Sequence, residues 1–85
     1  MTRDEILTTL REVLRSELGV EGPVELGSEL AGDLGLDSVK LLTLVVELEN
    51  RLRVALEPEA GELLVNVGQV VALIERCRKE QEAAA

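Results

Sequence analysis

Residues 34–48 read LGLDSVKLLTLVVEL, a sequence that passes from a glycine-containing stretch into a very apolar one. Asp37 or Ser38 can cap a helix here, because both residue types accept hydrogen bonds from the N–H groups of a first helical turn. The apolar residues of this helix cover more than one face, and they are Val39, Leu41, Leu42, Leu44, Val45, Val46, Leu48 and Leu52. So wide an apolar arc indicates a helix that lies centrally or contacts both the core and a partner. We predict that the helix ends near Arg53.

The residues before this segment predict one helix followed by a long loop. Thr2 and Glu5 have the spacing of a capping box, and apolar residues with helical spacing follow until Gly19, which is a typical helix stop. We predict this first helix over residues 3–18. Residues 19–35 hold five of the seven glycines, and no Lys or Arg lies between Glu17 and Asp37. We expect a loop that is tethered to the core by five apolar side chains: Val24, Leu26, Leu30, Leu34 and Leu36.

The residues after the central helix predict two more helices. Glu57-Pro58-Glu59 is typical of the start of a short helix. Asn66, with Gln69 three residues on, can cap a last helix whose apolar stripe is formed by Val67, Val70, Val71, Ile74 and Cys77. The fold class is therefore all-α, a small bundle of three principal helices and one short helix, with a long loop between the first and second. We expect a single domain over residues 1–85, with a frayed tail at residues 80–85.

The composition excludes several classes of function. The 85 residues include no His, Phe, Tyr or Trp, so there is no His-dependent nucleophilic system and no aromatic platform for single-stranded nucleic acid. The lone Cys77 cannot form an internal disulfide, and we interpret it as a small core residue. The net charge of −8 disfavours nucleic acid and anionic membranes. We expect no catalytic residue and no metal site, and a soluble, cytoplasmic, monomeric protein that binds no nucleic acid or membrane.

Ser38 is the candidate for carrying chemistry. A hydroxyl at the start of a helix lies beside unpaired N–H groups and the positive end of the helix dipole, where a phosphate is well tolerated. The same Asp-Ser pair is also an ordinary N-cap, and the dipeptide alone favours that interpretation.

The chain as a whole resembles the acyl carrier proteins. The resemblance runs from Thr2 to about Lys79 and is sharpest at Leu34-Gly35-Leu36-Asp37-Ser38, with support from Glu47-Leu48-Glu49 and Asn66-Val67-Gly68-Gln69-Val70-Val71. It implies that Ser38 carries 4′-phosphopantetheine, donated by coenzyme A through a phosphopantetheinyl transferase. The group would hold acyl intermediates as thioesters for the acyl-transferring and condensing enzymes of fatty acid, polyketide or related biosynthesis, and the protein itself would catalyse nothing.

The resemblance also implies a docking surface on the second helix. Asp37 would be recognised by the transferase, and the residues that meet basic patches on partner enzymes would include Glu49. Val39, Leu42 and Val46 lie at i, i+3 and i+7 and are candidates for an apolar contact stripe, although each could instead belong to the core. Leu44, Leu48 and Leu52 are spaced by four and are expected on the core face.

The charge pattern departs from that of the usual family member. Lys40 and Thr43 stand where carriers of fatty acid synthesis typically have acidic residues. Residues 1–37 hold three basic and nine acidic side chains, whereas residues 38–85 hold six and eight. We interpret the chain as a specialised carrier rather than a housekeeping one. The alternatives are a peptidyl or aminoacyl carrier, and an acidic helical interaction module in which Ser38 is only a helix cap.

Overall fold

The computed structural model describes residues 2–56 and 64–84, and the secondary structure there is helical. Helix α1 spans Arg3–Ser16, α2 spans Ser38–Leu52 and α3 spans Val67–Ala84. An isolated bridge between Glu29 and Asn66 is the sole β-type pairing within these two ranges. The all-α prediction with a long loop between the first two helices is confirmed. The short helix predicted from Glu57 lies outside the described residues.

The helix ends follow the predicted capping residues. The Thr2 hydroxyl oxygen accepts a hydrogen bond from the Glu5 N–H at 3.2 Å. Asn66 and Gln69 form a reciprocal capping box: Asn66 Oδ1 accepts from the Gln69 N–H at 2.9 Å, and Gln69 Oε1 accepts from the Asn66 N–H at 3.3 Å. Helix α1 ends at Ser16, two residues before the predicted end, and the chain then turns through Gly19 at φ +67°.

One apolar face of each helix builds the core. It contains Ile6, Leu10, Val13 and Leu14 of α1; Leu44, Val45, Leu48 and Leu52 of α2; and Val67, Val70, Val71 and Ile74 of α3. The predicted core face of the second helix is therefore correct. Cys77 is half-buried against this core, in keeping with its interpretation as a small apolar residue. In the described part of the chain, no polar or charged residue is buried.

The loop between α1 and α2 is fixed by apolar side chains and by backbone hydrogen bonds. Val24, Leu30 and Leu36 are buried and Leu34 is partly buried, as predicted. The prediction for Leu26 is wrong: its side chain is 38% exposed. The backbone holds this residue instead, because the Leu26 carbonyl accepts from the Gly68 N–H at 2.8 Å.

The carboxyl-terminal part of α3 ties down the chain that leaves α2. Arg78 Nη1 donates to the Leu52 carbonyl at 3.0 Å. Gln81 pairs with the backbone of Ala55 in both directions, donating at 2.9 Å and accepting at 3.3 Å. The helix continues to Ala84, so the described part of segment 80–85 is helical, and its fraying stays a prediction.

Candidate functional site

Ser38 is held at the first position of α2 by the end of the long loop. Gly35 adopts φ +69°, a left-handed conformation that glycine reaches without strain. The next residue, Leu36, is buried, and its N–H donates to the Leu30 carbonyl at 2.9 Å. A buried anchor two residues earlier thus fixes the backbone at Ser38, while the Ser38 side chain is exposed.

Asp37, not Ser38, is the residue that caps α2. Asp37 has extended backbone angles, and its Oδ1 accepts from the Lys40 N–H at 2.8 Å. Its carbonyl accepts from the Leu41 N–H at 2.9 Å. The Ser38 hydroxyl makes no hydrogen bond to any described residue, so it does not cap the helix. This geometry removes the main support for Ser38 as a mere helix cap.

The N–H groups of Ser38 and Val39 lie in the first turn of α2, where no intrahelical acceptor exists. They point toward the amino-terminal end of the helix, which carries the positive end of its dipole. Within the described structure neither group donates to a protein acceptor. An anionic group on Ser38 would therefore meet donors and a favourable field rather than a repulsive one.

Three apolar side chains of α2 face away from the core and form a surface that we call the exposed stripe: Val39, Leu42 and Val46. They are 73%, 56% and 45% exposed. The alternative that they belong to the core is therefore wrong. Their function in partner docking stays a prediction.

Glu49, the other candidate docking residue on α2, is half-buried and makes contacts within the chain. Its Oε2 accepts from the Leu56 N–H at 3.3 Å, and its carbonyl accepts from the Val54 N–H at 3.3 Å. Glu49 thus supports the turn that follows α2. Its carboxylate can bind a partner only by sharing, or by giving up, the hydrogen bond from the Leu56 N–H.

The charges near the site are distributed unevenly. Arg51 lies 3.6 Å from Glu47 and 3.5 Å from Glu17, so this cation is already paired with carboxylates of α2 and the loop. Lys40 is exposed, and no carboxylate of the described residues lies within salt-bridge distance of it. Lys40 is therefore an unpaired cation of α2 among the described residues.

The first loop and α2 also enclose a groove that sequence patterns did not indicate. Its volume is about 470 Å³, and its lining includes Leu18, Val20, Leu34 and Lys40. The groove depends on tertiary packing, and no local sequence signal could have located it. In residues 2–56 and 64–84, no group of three or more His, Cys, Asp or Glu side chains could hold a metal ion, and no helix is long and apolar enough to cross a membrane.

Known proteins are similar to this chain in sequence and in fold. Residues 8–74 match the family described as the phosphopantetheine attachment site. The acyl carrier protein of Exiguobacterium sibiricum is 36% identical over 76 residues, which is 88% of this chain and 96% of that protein. The acyl carrier protein of Thermotoga maritima is 33% identical over 76 residues, 88% of this chain and 94% of that one. A solved chain from Mycobacterium tuberculosis, assigned as an acyl carrier protein, superposes with a TM-score of 0.67 at 27% identity, covering 86% of this chain and 93% of that one.

Proposed function

The chain belongs to the acyl carrier protein family, and from this membership we propose that Ser38 is the residue that bears its prosthetic group. The protein carries acyl groups on a covalently attached 4′-phosphopantetheine. Ser38 lies inside the matched residues 8–74 and is one of only three serines, with Ser16 and Ser28.

The observation that carries the proposal is that Asp37 caps α2 while the Ser38 hydroxyl makes no hydrogen bond within the described residues. Asp37 satisfies the N–H of Lys40, so the Ser38 hydroxyl is free and exposed at the helix start. The other two serines are engaged: Ser16 Oγ donates to the Glu12 carbonyl at 2.7 Å, and Ser28 Oγ accepts from the Glu25 N–H at 3.0 Å. Ser38 therefore fits a phosphodiester better than either alternative.

The prosthetic group, when attached, supplies a thiol that holds an acyl group as a thioester. The residues of the chain hold the group at a fixed point and leave it exposed to partner enzymes. Tethering raises the effective concentration of the acyl group at a docked active site, so delivery does not depend on free diffusion. We place the protein in the role of a substrate carrier that performs no chemical step of its own.

The exposed stripe is the surface we assign to partner enzymes. An apolar stripe that begins one residue after Ser38 can guide an enzyme toward the prosthetic group, because covering exposed apolar surface with a partner is favourable. We assign Asp37 to recognition by the phosphopantetheinyl transferase and Glu49 to the edge of the contact with basic patches of acyl-transferring and condensing enzymes. We further propose that the carrier is a cytoplasmic monomer. Its charge distribution favours a specialised pathway over a housekeeping one.

Loading of the unmodified protein tests the assignment of Ser38. The protein is incubated with coenzyme A, Mg²⁺ and a broad-specificity phosphopantetheinyl transferase, and its intact mass is measured. We expect the wild-type protein and the Ser16→Ala control to gain the mass of one phosphopantetheine, and Ser38→Ala to gain nothing. Loading of Ser38→Ala, or no loading of a wild-type protein that circular dichroism shows to be folded, would contradict the proposal.

A further inference from the structure

The exposed stripe of α2 separates two polar flanks of the helix. Successive residues of a helix are about 100° apart around its axis, so Ser38 and Glu49 lie about 20° apart, next to Leu42 of the stripe. Lys40 lies about 180° from Glu49 and is on the opposite flank. This second flank faces the first loop, because Lys40 lines the groove there. A partner that covers the stripe therefore meets different side chains on its two sides.

Lys40 carries the unpaired charge of the second flank. Glu47 lies about two turns further along the same flank, but its Oε2 is 3.6 Å from Arg51 Nε, so these two charges offset each other. Arg51 also lies 3.5 Å from Glu17. Lys40, in contrast, is exposed, and no carboxylate of the described part of the chain lies within salt-bridge distance of its ammonium group.

An exposed cation beside an apolar surface influences which proteins can cover that surface. A second cation placed against Lys40 is repelled, and an apolar group placed there removes water from the ammonium without replacing it. A carboxylate opposite Lys40 avoids both costs. Glu21 and Asp33 also line the groove, but neither forms an ion pair with Lys40, so its charge is available to a partner.

We propose that Lys40 is a specificity-determining residue for docking, which selects partner enzymes that place a carboxylate opposite it and disfavours enzymes whose docking patch is basic throughout. This inference rests on the proposed function, in which partners dock on the exposed stripe beside Ser38. The two flanks require opposite charges from the partner: basic residues near Glu49 and an acidic residue near Lys40. The same arrangement fixes the orientation of the partner across α2, because a partner turned around would bring like charges together.

Charge exchange between this chain and a phosphopantetheinyl transferase tests the proposal. The probe is a broad-specificity transferase with a basic carrier-binding face, used unmodified and as a set of variants in which each Lys or Arg of that face is replaced in turn by Glu. The kcat/KM of transfer from coenzyme A is measured at low salt for the wild-type chain and for Lys40→Glu.

We expect Lys40→Glu to raise kcat/KM with the unmodified transferase about two- to fivefold, the effect of one exposed charge pair. At least one Glu variant of the transferase should reverse this preference and load the wild-type chain faster than Lys40→Glu. Salt at about 1 M shortens the screening length to about 3 Å, so both preferences should disappear there. A gain that persists at high salt would show that Lys40→Glu acts on the helix start and not through docking charge, which would overturn the proposal.

Lys79→Glu is the matched control, because it reverses the charge of an exposed lysine on α3 and should leave the loading rates unchanged. Equal effects of the two lysine variants, no gain for Lys40→Glu, or no transferase variant that prefers the wild-type chain would overturn the role of Lys40 and leave the attachment at Ser38 standing. Failure of the folded wild-type protein to load with any of the transferases would instead overturn the attachment proposal, and the role of Lys40 with it.

Discussion

Asp37 caps the start of α2, and the contribution of this hydrogen bond can be separated from the contribution of its negative charge. Its Oδ1 accepts from the Lys40 N–H at 2.8 Å, and Asp37→Ala removes this acceptor from the first turn of α2. Loss of an N-cap side chain costs about 0.5–2 kcal/mol of stability, and typically about 1 kcal/mol. For a domain of this size, a loss of about 1 kcal/mol lowers Tm by roughly 4–8 °C.

Asp37→Asn is the informative comparison, because it keeps the Oδ1 acceptor and removes the negative charge. The lost attraction to the helix dipole is worth about 0.3–1 kcal/mol at low ionic strength. Salt at about 1 M shortens the screening length to about 3 Å and suppresses that contribution. We therefore expect Asp37→Asn to unfold near the wild-type temperature at high salt, while Asp37→Ala remains destabilised.

The assay pairs thermal unfolding by circular dichroism with the rate of phosphopantetheine transfer. If Asp37 also contacts the transferase through its charge, both variants should lose about two- to fivefold in kcat/KM at low salt, as expected for one exposed charge pair. Equal thermal destabilisation of the Asn and Ala variants at high salt would refute the capping argument. Wild-type transfer rates in both variants would refute the docking role of Asp37.

Three further comparisons test the packing by urea unfolding. Leu48→Ala should lower the free energy of unfolding by about 2–5 kcal/mol because Leu48 is fully buried. Leu42→Ala on the exposed stripe should lower it by less than about 0.5 kcal/mol. Similar losses for the two variants would contradict the assignment of the buried and exposed faces of α2. Arg53 ends α2 at φ 52°, so Arg53→Gly should be more stable than Arg53→Ala by about 1 kcal/mol, and the opposite order would contradict a left-handed helix end. Gln81→Ala breaks both hydrogen bonds to Ala55 and should cost about 1 kcal/mol; no cost would favour fraying of the tail.

Local signals in the sequence predicted the helix ends well. The capping residue and the N–H that it satisfies are only three residues apart at Thr2 and at Asn66, so the spacing alone identified both starts. The choice between Asp37 and Ser38 could not be made in this way. Both residue types are good N-caps, and the outcome depends on where the buried Leu36 fixes the backbone.

Periodicity separated the two faces of α2 correctly but could not describe the loop. Leu44 and Leu48 repeat every four residues and are buried, whereas Val39 and Leu42 lie on the other side of the helix and are exposed. Leu26 has no helical period, and it is held through its backbone, whose carbonyl accepts from the Gly68 N–H at the start of α3. Contacts between segments distant in sequence, including those that form the groove along the first loop, therefore required the three-dimensional structure.

The position of the prosthetic group on the chain is the most direct measurement of the central claim. Trypsin cleavage after Arg15 and Lys40 produces one peptide, residues 16–40, that contains all three serines. Fragmentation of this peptide from the loaded protein, by a method that preserves the phosphodiester, assigns the added mass to one of them. We predict that the added mass is on Ser38 alone. Its presence on Ser16 or Ser28 would contradict the site.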